Sequence, residues 1–206
     1  MLEWYRSGQN YKDLMNESED LICAAARLIN GNEKICYRGL EINVATPWTR
    51  LSVATAFQRY ASMDMEKALE KDCFDEVVAT EIEPNLGSTT PLFLYDYPAP
   101  CGALARLKPR NNLLAERFEL YIAGIELCNG FSELTDSAEQ KSRFEKEQRL
   151  RKSFGRPVYP MPQKFLTALK DMPAAGGNAL GIDRLAMLFC DATEIDDVVA
   201  FTPEEL

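Results

Sequence analysis

Apolar residues at positions 11, 14, 15, 22, 25, 28 and 29 recur at the three- and four-residue spacing of a single helix face, and Gly31 follows them. The spacing predicts an amphipathic helix from Tyr11 to Ile29 closed by a glycine C-cap. Residues 35–42 read as a strand. Beyond Thr46-Pro47-Trp48, Ser52 stands where an N-cap would open a helix over Val53–Tyr60. Further helix is expected within 64–82, and the apolar run from Leu92 to Tyr97, bounded by Pro91 and Pro98, reads as a strand. The segments around Glu116 and Glu126 form a hairpin, and Ser137–Lys152 is helical. Residues 157–162 are a proline-punctuated loop before a short helix near Gln163–Lys170. Hairpin-joined strands with helices gathered around them predict an α+β fold, an antiparallel sheet flanked by helices.

Composition narrows the chemistry. The 206 residues are 46% hydrophobic and 27% charged, with no repeat, low-complexity tract or interdomain linker, so one domain is the default. No apolar run reaches the length of a membrane span, and Met1-Leu2-Glu3-Trp4 has no leader character, which points to the cytoplasm. Six cysteines lie scattered without a close pair and histidine is absent. Zinc, and any nucleophile activated by imidazole, are therefore not expected. The net charge of −9 argues against autonomous binding of nucleic acid. The basic stretch Lys141 to Lys152, interleaved with Glu145 and Glu147, reads as a solvated helix face, with docking of an acidic partner as the alternative.

Two stretches carry candidate chemistry. Gly176-Gly177-Asn178-Ala179-Leu180-Gly181 runs into Ile182-Asp183-Arg184-Leu185, a small-residue strand entering an apolar helix with a burial-prone arginine in its first turn. Such a junction suits an anion, because the backbone can come close and a helix start offers free N–H groups. If Ala123-Gly124 is a two-residue turn, 122 faces 125 and 119 faces 128. Glu119, Tyr121, Glu126 and Cys128 then share one side, and paired carboxylates of this kind suit Mg²⁺ bridging ATP phosphates. Asn129, Phe131 and Glu133 would fall on the other side unless the strand bends near Gly130.

The Gly176–Leu185 stretch resembles motif 3 of the class II aminoacyl-tRNA synthetases, in the lysyl-tRNA synthetase branch. Glu116–Tyr121 with Gly124–Leu134 is similar to the lysine- and magnesium-binding hairpin of that branch, and Met1–Arg6 to the second strand of motif 2. Ala179 stands where a lysyl-tRNA synthetase carries glycine, a departure shared with paralogues that modify a protein lysine instead of charging tRNA. The resemblance implies ATP-dependent activation of lysine or β-lysine as an acyl-adenylate, with elongation factor P as acceptor and tRNA not expected. It implies Glu119 and Glu126 as Mg²⁺ ligands and Arg184 as the phosphate-stabilising cation. Glu3, Tyr5, Asn129, Phe131, Glu133, Ala179 and Gly181 would form the amino-acid pocket. It also reads residues 1–206 as the C-terminal portion of such a domain, truncated before motif 1 and the Phe-Arg-x-Glu strand, with an unpaired sheet edge; the chain is then expected to be only part of the active enzyme and not to catalyse the full reaction alone, and dimerisation is left open. A tRNA-charging fragment and a non-catalytic lysine- or nucleotide-binding module are the alternatives.

Overall fold

The computed structural model describes residues 1–202. Among them, seven strands make one sheet: β1 (Leu2–Ser7), β4 (Thr49–Ser52), β5 (Leu92–Pro98), β6 (Leu107–Lys108), β7 (Asn111–Ile122), β8 (Ile125–Ser132) and β9 (Ala175–Leu180). Their order is β1-β9-β8-β7-β5-β4, with β6 beside β7, and neighbours run antiparallel except for the parallel β4–β5 pair. The α+β expectation holds, with that one parallel pair added.

Helix α1 (Tyr11–Asn30) lies across one face. Asn10 caps it, accepting from the Lys12 amide while the Asp13 carboxylate accepts from the Asn10 amide, and Gly31 ends it with φ 72°. Its buried stripe differs from the predicted one. Tyr11, Leu14, Met15, Ser18, Glu19, Ile22, Cys23 and Ala26 face the sheet, whereas Leu28 is 87% exposed and Ile29 is also solvated. The last turn has run past the sheet, so its apolar positions have nothing to cover.

Residues 35–42 are two strands, not one. β2 (Lys34–Tyr37) and β3 (Leu40–Asn43) form a separate hairpin, reversed at Arg38-Gly39 with φ of 50° and 75°. This hairpin packs with α1 and α7 (Ile182–Cys190) in a core that includes Ile35, Tyr37, Trp48, Phe93, Phe118, Leu120, Cys128 and Leu188.

The opposite face is covered over β4, β5 and β7 only. There α2 (Val53–Tyr60), capped by Ser52 as expected, joins α3 (Met65–Glu70), α4 (Phe74–Val77), a π-turn at Val78–Ile82 and a tight turn at Glu83–Asn85. Their core takes in Phe57, Phe74, Leu92, Leu94, Tyr97 and Tyr121. Each fully buried side chain of this size contributes about 1.5–3 kcal/mol of transfer free energy. α5 (Ser137–Ser153) and α6 (Gln163–Ala168) follow β8 as an outlying arm, with Gln140 the buried residue of α5. Among the described residues, no helix covers the half of this face formed by β8, β9 and β1.

Candidate active site

The site is built by the β7–β8 hairpin. Ala123 and Gly124 turn the chain with φ of 53° and 74°, and Ile122 pairs with Ile125 as predicted. The register then shifts: Tyr121 faces Glu126, but Leu120 faces Cys128, leaving Leu127 as an extra residue. This bulge corrects the expected pairing of 119 with 128 and moves the irregularity from Gly130 to Leu127. Leu127 and Cys128 both enter the core, so Cys128 lies on the far side of the sheet from the carboxylates, against expectation. Asn129, three residues after Glu126, returns to the face that Glu126 occupies.

Beyond the bulge the register aligns two rows across the open face. Glu119, Asn129, Ala179 and Glu3 stand side by side on β7, β8, β9 and β1, and the next row is Arg117, Phe131, Gly177 and Tyr5. Glu133 follows Phe131 on the same parity. A Cβ on Gly177 would come 2.5 Å from the Glu133 Oε1 and 3.0 Å from the Tyr5 ring, so only glycine leaves room for the three to converge. A hollow of about 520 Å³ is lined by Glu126, Asn129, Phe131, Ala179, Gly181 and Arg184 among others.

Electrostatics separate the acids. Glu119 is buried and held through both oxygens: Arg117 Nη2 donates to Oε1 at 2.6 Å, leaving that oxygen room for a further partner, and the hydroxyls of Tyr97 and Tyr121 lie 2.5 and 2.7 Å from Oε2. Arg117 also stacks on the Tyr97 ring, 4.5 Å from its centroid, and reaches Asn129 Oδ1 at 3.2 Å and the Cys101 carbonyl at 2.8 Å. Tyr121 touches Glu83 Oε1 at 3.0 Å as well, although a hydroxyl has a single proton to share between Glu83 and Glu119. Glu126 is held above the usual carboxylate range, first by burial and then by the charges of Glu119 and Glu83, with Arg184 opposing. Glu133 is only 9% exposed, its Oε1 has no partner among the described residues, and burial pushes its carboxyl up to about 7. Tyr5 is raised by burial and by Glu133 and Glu3, in that order.

Arg184 departs from the burial expected of it. Its side chain is 48% exposed, donating to the Glu126 carbonyl at 2.8 Å and lying 3.4 Å from that carboxylate. An exposed pair of this kind is worth about 0–1 kcal/mol, so the guanidinium is easily redirected. The structure therefore brings Glu119, Glu126, Asn129, Phe131, Glu133, Ala179, Gly181 and Arg184 to one face, with Glu3 and the exposed Tyr5 at its β1 margin. Sequence reasoning missed Arg117 and Glu83. Arg117 was signalled by its parity with Glu119, while Glu83 arrives through a π-turn that no spacing announces. Among the described residues, no group of three or more His, Cys, Asp or Glu is arranged to hold a metal alone.

A mixed sheet with a carboxylate hairpin and an arginine-bearing helix after the last strand defines a class II synthetase-like catalytic domain. The family model described as tRNA synthetases class II (D, K and N) matches residues 1–205, and the chain belongs to that family. It is 39% identical over 210 residues to an elongation factor P–(R)-β-lysine ligase of Erwinia tasmaniensis. It is 38% identical over 209 residues to the protein of the same name in Enterobacter sp. strain 638. In both comparisons 98% of this chain is matched, and it spans 64% of the relative's length.

Proposed function

We propose that this protein activates lysine or β-lysine with ATP and passes the acyl group to a lysine side chain of elongation factor P. The observation that carries the reading is Glu133, a buried carboxylate with one unpartnered oxygen beside the open face. An unpaired buried charge is costly, and a substrate ammonium placed against it removes that cost while neutral amino acids leave it in place. Glu3 and Tyr5 at the margin, with Asn129, Phe131, Ala179 and Gly181 in the hollow, would orient the rest of the amino acid.

The chemistry needs no histidine. The amino-acid carboxylate is already ionised; its oxygen forms the bond to the ATP α-phosphorus as the bond to the pyrophosphate oxygen breaks. The acceptor amine then attacks the acyl carbonyl, AMP leaves, and the amine's proton passes to solvent. The chain's part is positioning and charge. Arg184, released from its weak contact with Glu126, would turn to the phosphates. The donor set fits Mg²⁺: burial and the charge of Glu119 both disfavour an ionised Glu126 without a cation, Glu119 would supply a second carboxylate, and this ion takes one or two carboxylates together with substrate phosphates. Glu119 and Glu126 would hold Mg²⁺, and the chemistry it would supply there is neutralisation of phosphate charge. Arg117, Tyr97 and Tyr121 keep Glu119 fixed for that task.

Lysine-dependent exchange of pyrophosphate into ATP tests the first half. Transfer of labelled lysine or β-lysine to elongation factor P, with tRNA as the competing acceptor, tests the second. Exchange with no amino-acid preference, or acylation of tRNA alone, overturns the reading.

A further inference from the structure

The arm formed by α5 and α6 has a charge opposite to that of the rest of the molecule. Residues 137–170 hold nine basic and three acidic side chains, leaving 14 basic and 29 acidic elsewhere. Three of the basic groups are spent within α5, as Lys141 pairs with Glu145, Arg143 with Glu139 and Arg151 with Glu147. Among the described residues, Lys146, Arg149 and Lys152 have no such partner, and all three are exposed.

At the root of the arm a groove of about 460 Å³ runs between α5 and the segment 99–104, with Leu104, Phe144 and Leu150 in its walls. Gln140 lies in the same groove. It is 1% exposed, and its Nε2 has no hydrogen-bond partner among the described residues. A buried amide donor left unmatched is costly, and an incoming oxygen would recover that cost. Asp72 also lines the groove, while Glu147 is tied to Arg151. The groove is joined to the site: Arg143 Nη1 donates to the carbonyls of Ala103 and Ala105, and Arg117, which grips Glu119, donates to that of Cys101.

We infer that this groove and the free cations beside it receive the acidic surface of the acceptor protein next to the lysine it offers. The inference rests on the proposed acyl transfer to a protein. Gln140 Nε2 would donate to a main-chain or carboxylate oxygen of the acceptor; the apolar walls would take its aliphatic side chains, and Lys146, Arg149 and Lys152 its acids. A compact acidic protein fits better than RNA. An extended polyphosphate would continue from the arm onto a surface where acids outnumber bases two to one.

Purified elongation factor P is the probe. Its binding to the unmodified protein and to the Lys146→Glu/Arg149→Glu/Lys152→Glu variant is measured by titration calorimetry, alongside lysine-dependent pyrophosphate exchange and acyl transfer. The variant is expected to bind at least about tenfold more weakly and to lose most of the salt dependence of binding. Its KM for the acceptor rises while exchange stays within twofold. Gln140→Met, close in volume, is expected to weaken acceptor binding several-fold with exchange unchanged. Equal binding by the charge-reversed variant, no binding by the unmodified protein, or loss of RNA binding alone overturns the inference. If exchange is absent but the variant still loses acceptor binding, the docking surface stands and the proposed catalysis falls.

Discussion

Glu133→Gln separates the role of a waiting charge from that of a packed side chain. The carboxyl rises from an ordinary value of 4.5 to about 7 through burial alone. At about 1.36 kcal/mol for each tenfold change in acidity, that rise sets a ceiling of roughly 3–4 kcal/mol on the cost of ionising it in the folded protein. Water at the open face reduces that to about 1–2 kcal/mol. The sign follows from which form is penalised. In acid both states bind the proton and the cost is absent; as pH rises from 4.5 through about 7 the folded wild type loses stability that the glutamine variant keeps. The variant is therefore expected to be the more stable at about pH 8, and the difference to vanish near pH 4, in urea titrations across that range. If lysine is the substrate as proposed, adding it is expected to reverse the order, stabilising the wild type and not the variant. In the exchange assay the variant's KM for lysine should rise about 100-fold, the loss of roughly 3 kcal/mol from a paired buried charge. A variant less stable than wild type at about pH 8, or with a lysine KM within twofold, would refute the argument.

Other outcomes follow from the same geometry. Arg117→Met strands the Glu119 carboxylate and frees Asn129, and is expected to cost about 3–5 kcal/mol in chemical denaturation, with Arg117→Lys unable to reach Glu119, Asn129 and the Cys101 carbonyl together. Gly177→Ala pushes a methyl to 2.5 Å from Glu133 Oε1 and should raise the amino-acid KM about tenfold while the KM for ATP holds. Thiol titration of the native protein should modify the exposed Cys36 and Cys190 first, and the buried Cys23 and Cys128 only on unfolding. Cys128, pushed up to about 12 by burial, is the slowest of these; its fast reaction in the folded state would contradict the packing described.

Much of the fold was legible because local signals agreed with tertiary ones. Ser52 opens α2 where a serine followed by apolar spacing says it should, Gly31 closes α1, and Ala123-Gly124 turns the hairpin. The failures have physical causes. Arg38 takes a left-handed conformation that its residue type does not advertise, and one expected strand becomes two. The site was harder to read past Glu126. Glu-Leu-Cys-Asn sets two apolar residues between two polar ones, which a straight strand cannot place on one core face; that doublet marked the bulge, and the glycine downstream drew attention away from it. Arg184 looked destined for the interior because its helix is apolar, but only the helix face toward β2 is buried. Glu83 depends on a tertiary detour and had no local mark.

The extra residue at Leu127 also bears on how this scaffold can vary. Leu127 is an aliphatic side chain like many others in the core; what matters is that it occupies a place in the count. Adding or removing one residue between the turn and Asn129 would rotate every later side chain of the strand by half a revolution, burying acids and exposing hydrocarbon. Re-engineering the pocket by exchanging side chains leaves this numbering intact, whereas loop grafting at the hairpin tip must preserve chain length to the single residue.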